Sequence, residues 1–224
     1  MGRTKLEEQG QNANDCALGH KLSLGFLMSI KLALQDRLLR KFNGNLKQRF
    51  LDLIQPKASD KLLDVGGGTG ALAELMKPSY ESSVVLDPDP SKLKFGARRR
   101  PDVNFVLGVA EYIPFPAQCF GSIVAVGSFH HLQDQEQGLE EFRRVSVRDG
   151  FLGMLEYDPL TSTGKIAKFI DGLLGNTKWH FLDPKQLGEK VQQHGFDGVL
   201  TSDFTRGYIL TAKKKLETSG PSYG

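Results

Sequence analysis

Cysteine is nearly absent from this chain of 224 residues. Cys16 and Cys119 lie far apart and outside any C-x-x-C spacing, which excludes a disulfide framework and a thiolate zinc site and leads us to expect a reducing, cytoplasmic setting. No long apolar run occurs either. The best stretch, Leu22 to Leu39, is interrupted by Lys31, Gln35, Asp36 and Arg37, so a membrane span is not expected. The start, Met1 to Gln11, is polar and carries Glu7 and Glu8, unlike a secretory signal. A large charge excess is also missing: 29 Lys and Arg against 26 Asp and Glu leave +3, too little to predict a nucleic-acid partner. Paired histidines and carboxylate clusters with ligand spacing are lacking, so no metal is expected.

What is abundant is glycine, 25 of 224 or about 11% against an ordinary share of roughly 7%. Such a surplus implies tight turns or places where something approaches the bare backbone. The length suits one domain with a sizeable core. Positive charge is local: residues 1–50 hold nine Lys and Arg against four Asp and Glu.

From Leu18 to Phe42 the pattern is helical, with Phe26, Ile30, Leu34 and Leu38 at four-residue intervals and Lys21, Gln35, Asp36 and Arg40 opposite. A second helix, Leu46 to Ile54, ends before Gln55-Pro56. Beyond it, strands at 61–65, 84–87, 103–107, 120–126 and 151–157 alternate with helices at 71–76, 92–100 and 135–147. That alternation predicts an α/β domain with a doubly wound, Rossmann-like parallel sheet. Helices are expected around 164–174 and 184–194, followed by a hairpin of strands at 198–204 and 207–212. Arg98-Arg99-Arg100 reads as a solvated helix end and His194 as a helix cap.

Leu63-Asp64-Val65-Gly66-Gly67-Gly68-Thr69-Gly70 carries the most chemistry. Glycines between a strand end and a helix start let a nucleotide-like ligand meet backbone N–H groups. Gly66-x-Gly68-x-x-Ala71, with Asp87 about twenty residues on, also satisfies a dinucleotide fingerprint, so an NAD(P)-dependent oxidoreductase remains an alternative. Asp64 speaks against it, because an acid beside the loop suits a cationic ligand and not a pyrophosphate. No Tyr-x-x-x-Lys pair is present.

The run Asp64-x-Gly66-x-Gly68-x-Gly70 resembles the first motif of class I S-adenosylmethionine-dependent methyltransferases. Val85-Leu86-Asp87-Pro88 looks like the second motif, and Gly108-x-Ala110-Glu111 with Ile113-Pro114-Phe115 looks like the adenine-side motif. Ser128-Phe129-His130-His131-Leu132 and Glu141-x-x-Arg144-Val145 are similar to the methyltransferase type 11 subgroup. The resemblance implies a seven-stranded, mostly parallel sheet with an antiparallel last strand, and S-adenosylmethionine as cofactor. It implies cofactor contacts at Asp64, Gly66, Gly67, Gly68, Gly70, Asp87, Pro88, Ala110, Glu111, Gly127 and Ser128. The subgroup commonly has Asp where this chain has Val109, which removes an acceptor for the adenine amino group; a catalytically silent methyltransferase-like binding subunit is therefore a further alternative.

The activity so implied is methyl transfer to a small-molecule acceptor by in-line displacement. His130, His131, Glu156 and Tyr157, just beyond strand ends, are the candidate catalytic residues. Phe26, Phe42, Phe169, Trp179 and Phe181 lie in the segments expected to set specificity, which favours an apolar or aromatic acceptor and no nucleic acid. Three regions are expected: residues 1–45 as a basic amphipathic lid, 46–213 as the cofactor-binding domain and 214–224 as a flexible tail. A basic amphipathic helix also fits peripheral contact with an anionic membrane. The sequence leaves the oligomeric state open.

Overall fold

The structure is a computed structural model that describes residues 30–34, 36, 37, 44–161, 165, 180–204 and 207–216. Seven strands form one sheet: β1 Lys61–Val65, β2 Ser82–Asp87, β3 Asn104–Leu107, β4 Phe120–Val126, β5 Ser146–Glu156, β6 Phe196–Phe204 and β7 Gly207–Lys214. Their order is β3-β2-β1-β4-β5-β7-β6. The first five pair in parallel, and β7 inserts antiparallel between β5 and β6. This is the doubly wound α/β sheet with an antiparallel last strand that the motif order implies.

Helices cover both faces because the buried parallel strands are apolar on both sides. Residues 44–54 form α1; α2 is Ala71–Met76, α3 Pro90–Ala97, α4 Gln135–Val145 and α5 Pro184–Gln193. Alternation along each strand sorts the core. Leu62, Val124, Leu155 and Ile209 pack with Leu46 and Phe50 of α1 on one face. Leu63, Ile123, Leu152, Met154 and Leu210 pack on the other with Leu139 and Phe142 of α4 and Leu187 of α5. Three helices start on aspartate caps: Asp89 accepts the Ser91 and Lys92 N–H groups before Pro90, Asp134 accepts the Gln137 N–H, and Asp183 forms a capping box with Gln186. His194 caps α5, as its position suggests.

Several expectations change. Strand β5 starts at Ser146, five residues early, and pairs through an irregularity that lets Phe120 face Ser146 and Ser122 face Phe151. Strand β7 runs through Lys214, whose ammonium donates to the Ser146 carbonyl, so the sheet extends past the expected boundary at 213. Arg100 is not solvated: it is 2% exposed, while Arg99 stays outside over the Phe95 ring. The expected N-terminal helix lies mostly outside the described residues, but 30–34 and 36–37 are helical. There Ile30 and Leu34 are 50% and 60% exposed while Asp36 is 7% exposed, the reverse of the expected facing. Asp36 is drawn inward by Arg100 and Thr69. The expected helix at 164–174 falls outside the described residues except for Lys165, which is helical; Phe26, Phe42, Phe169, Trp179 and 217–224 also lie outside them.

Candidate active site

Between β1 and β4 the strand order reverses direction, and the loops leaving the carboxyl ends of these strands and of β5 converge there. Leaving β1, the chain turns at Gly66, whose φ of 71° and close approach to Ser128 exclude a side chain. At Gly67 an added Cβ would lie 2.5 Å from the Asp64 carboxyl carbon. The loop is tied down by Gly66 N–H to the Leu86 carbonyl (2.7 Å), Gly68 N–H to Asp87 Oδ2 (2.9 Å) and Gly70 N–H to the Gly67 carbonyl (2.9 Å). The other Asp87 oxygen accepts the Asp89 N–H (2.8 Å). Each oxygen keeps a further lone pair for a ligand hydroxyl. Pro88 is exposed at the turn that follows.

Asp64 is 1% exposed, and its Oδ2 has no hydrogen-bond partner among the described residues. Burial, reinforced by the Asp87 charge, pushes its carboxyl up to about 7. A buried acid with one oxygen unpaired beside a bare glycine is costly for the protein alone. It fits a ligand that brings a cation or donors, and together with the half-buried glycines Gly66 to Gly68 it makes the residues present suitable for S-adenosylmethionine.

After β4, Gly127 donates to the Leu155 carbonyl (2.8 Å) and Ser128 Oγ to the Val65 carbonyl (2.7 Å), which joins three strand ends. A 3-10 turn, Phe129–His131, then brings His130 against Glu156. His130 Nδ1 lies 2.5 Å from Glu156 Oε2, and Glu156 Oε1 accepts the Phe129 N–H (2.9 Å). Both side chains are buried. Strand alternation explains the meeting: Glu156 shares the face of Leu152 and Met154, on which the turn packs. A carboxylate can only accept, so in this contact Nδ1 is the donor. Phe181 stacks on the His130 ring at 4.4 Å, and the Tyr157 ring stands edge-on at 6.2 Å. His131 lies 4.2 Å from His130 and is exposed as a residue. Partial burial of its ring, with the neighbouring His130 and Lys92 acting in the same sense, lowers its pKa to about 4, so it is neutral at physiological pH.

The structure thus brings His130 and Glu156 into one unit, with Tyr157 and His131 at its edge. Ala110 is buried and Val109 exposed on the loop after β3. Glu111 turns to the loop before α4, where Oε1 accepts the Gln133 N–H at 2.8 Å. Glu141 and Arg144 of α4 hold the neighbouring segment: Glu141 Oε2 accepts the Ile113 N–H (2.7 Å), and Arg144 donates to the Ile113 and Phe115 carbonyls (2.9 and 2.8 Å). Of Trp179 and His180, only His180 is described; it is exposed, and its N–H donates to the His130 carbonyl (3.1 Å). Sequence reading missed Gln135, whose amide donates to the His180 carbonyl (2.8 Å) and so fixes the strap that carries Phe181. Nothing in its local pattern marks it. Among the described residues no cluster of His, Cys, Asp and Glu could hold a metal, and no helix is long and apolar enough to cross a membrane.

A strand-end glycine loop, an acid ending the next strand and an open switch point define an α/β domain for a nucleotide-bearing cofactor. The comparisons with known proteins narrow the class. The methyltransferase domain family matches residues 63–154. A demethylmenaquinone methyltransferase from Thermotoga maritima is 31% identical over 175 residues, covering 67% of this chain and 76% of that protein. The ubiquinone/menaquinone biosynthesis C-methyltransferase UbiE of Stenotrophomonas maltophilia is 33% identical over 125 residues, 52% of this chain and 49% of that protein, so the chain spans about half of that relative. A solved S-adenosylmethionine-dependent methyltransferase from Thermotoga maritima has the same fold, with TM-score 0.60 at 18% identity over 81% of this chain and 97% of that one. The chain belongs to the S-adenosylmethionine-dependent methyltransferases, and the dinucleotide alternative is set aside.

Proposed function

We propose that this methyltransferase alkylates a ring carbon of a small, apolar, hydroxylated aromatic acceptor of the quinol type. The observation that carries the reading is the buried His130–Glu156 pair beside Phe181, a base next to an aromatic wall. The names of the two relatives, which speak of demethylmenaquinone and of ubiquinone and menaquinone biosynthesis, support it.

When bound, S-adenosylmethionine supplies an electrophilic methyl group on a positively charged sulfur. In this reading Asp64 faces its cationic amino-acid end, the backbone of Gly66, Gly67, Gly68 and Gly70, bare of side chains, lines its approach, and Asp87 beside Pro88 accepts from ribose hydroxyls. Ala110 walls the base, Glu111 serves by bracing the loop beneath it, and Gly127 with Ser128 closes the side toward the acceptor. A ring carbon is a weak nucleophile until the hydroxyl beside it loses its proton. His130 takes that proton, and Glu156 steadies the imidazolium that results. His131 and Tyr157 bound the acceptor, and positioning within ~3–3.5 Å with water excluded does much of the rest.

The test is methyl transfer from labelled cofactor to reduced prenylated naphthoquinone and benzoquinone, with small amines as controls, read by mass spectrometry. A methylated ring carbon is expected. Turnover on amines with none on either quinol would overturn the reading.

A further inference from the structure

Asp36, in the helical residues before the sheet, has both carboxylate oxygens 2.8 Å from Arg100 Nη2. The same guanidinium donates through Nη1 to the Thr69 carbonyl (3.0 Å) and through Nε to Glu74 Oε2 (3.0 Å). Thr69 Oγ1 closes the ring by donating to Asp36 Oδ1 (2.6 Å). Asp36, Thr69 and Arg100 are all buried, and Gly96 keeps the space clear, since a Cβ there would lie 2.5 Å from the Thr69 carbonyl oxygen.

Thr69 stands in the cofactor loop between Gly68 and Gly70, which have φ of 57° and 78°. Asp87 grips that loop from the sheet side at the Gly68 N–H, and the Asp36–Arg100 pair grips it from the other. A buried ion pair is weak evidence for stability, because apolar replacements are often as stable; what it supplies is one geometry. Three acceptors on three different segments use the planar fork of one arginine, which lysine cannot imitate. We infer that Asp36 and Arg100 are positioning residues for the cofactor loop, and that through them docking of residues 30–37 and occupancy of the cofactor site are coupled. Coupling of this kind is reciprocal: a ligand that holds the loop tightens the hold on 30–37, and releasing 30–37 weakens the ligand.

The inference rests on the cofactor assignment, and the experiment separates the two. Hydrogen exchange of the full chain is measured with and without S-adenosylhomocysteine, and its affinity is measured by calorimetry. In the unaltered protein the ligand is expected to slow exchange at 30–37. Asp36→Asn and Arg100→Lys should weaken it about tenfold and abolish that slowing, while exchange in β4 and β5 stays unchanged. A purely structural salt bridge would not move the ligand-dependent protection. Unaltered affinity in both variants, or no ligand effect on 30–37 in the parent protein, overturns the coupling. Absence of any binding to the parent protein overturns the cofactor assignment and the coupling with it.

Discussion

Replacing Asp64 with Asn should make the cofactor-free protein more stable at pH 8 and a poorer binder of its cofactor. Burial raises the Asp64 carboxyl from 3.8 to about 7, some three units, and each unit is ~1.36 kcal/mol, so ionising it in the folded state costs up to ~4 kcal/mol. The folded protein holds a proton that the unfolded chain gives up. Stability from this group is therefore highest below pH 4, falls as pH rises from about 4 to about 7, and levels off above. Asn removes that penalty but leaves an amide N–H unpaired at the same orphaned position, which costs ~1–3 kcal/mol. The net expectation is a gain of ~1–3 kcal/mol at pH 8 and, because only the unpaired amide is left to count there, a loss of ~1–3 kcal/mol at pH 4, seen by calorimetry as a higher Tm in the alkaline scan and a lower one in the acid scan. Binding moves oppositely. In the proposed role the ionised carboxylate meets a cation, so affinity for S-adenosylhomocysteine should rise with pH through about 7, and Asn should flatten that dependence and weaken binding ~10- to 100-fold at pH 8. A fall in Tm at pH 8 without ligand would refute the reasoning by making Asp64 a structural acid.

Asp87→Ala should weaken cofactor binding ~10- to 100-fold, since hydrogen bonds to a charged acceptor are worth ~1.5–3 kcal/mol; equal affinity by calorimetry with the sheet intact removes it from the site. Glu156→Gln keeps the shape but not the charge beside His130, so kcat on the quinol should drop ~100-fold or more with KM for the cofactor little changed, and a preserved kcat would exclude the dyad. Ile30→Gln with Leu34→Gln probes residues 1–45 as a lid that receives a lipid-soluble acceptor: KM for the prenylated quinol should rise and binding to anionic vesicles fall at low salt, with cofactor affinity retained. If both KM and vesicle binding stay as in the parent, the exposed stripe has no such role.

How much of this was legible in the sequence depends on the range of the physics involved. Period-two and period-four apolar patterns, glycines between a strand and a helix, and Asp-Pro turns act within ten or so residues. They located β1 to β4, α2, α4 and the cofactor loop, and the order of the motifs carried the cofactor with them. Local pattern misjudged Arg100, because three consecutive arginines look like a solvated helix end; only the fold brings Asp36, Thr69 and Glu74 around the third. The same long-range pull turned Asp36 inward and left Ile30 and Leu34 in solvent. His130 and Glu156 could each be named as ending a strand or opening a turn, but nothing local says that they touch across 26 residues. Their pairing requires β4 beside β5 in register, Glu156 on the face where the 3-10 turn packs, and a buried site in which a lone carboxylate would be too costly to leave without a partner. The sequence by itself determined the alternating layers and the glycine loop, because these follow from local sterics and burial; the tertiary structure decided which buried charges meet, because that depends on where the chain crosses itself.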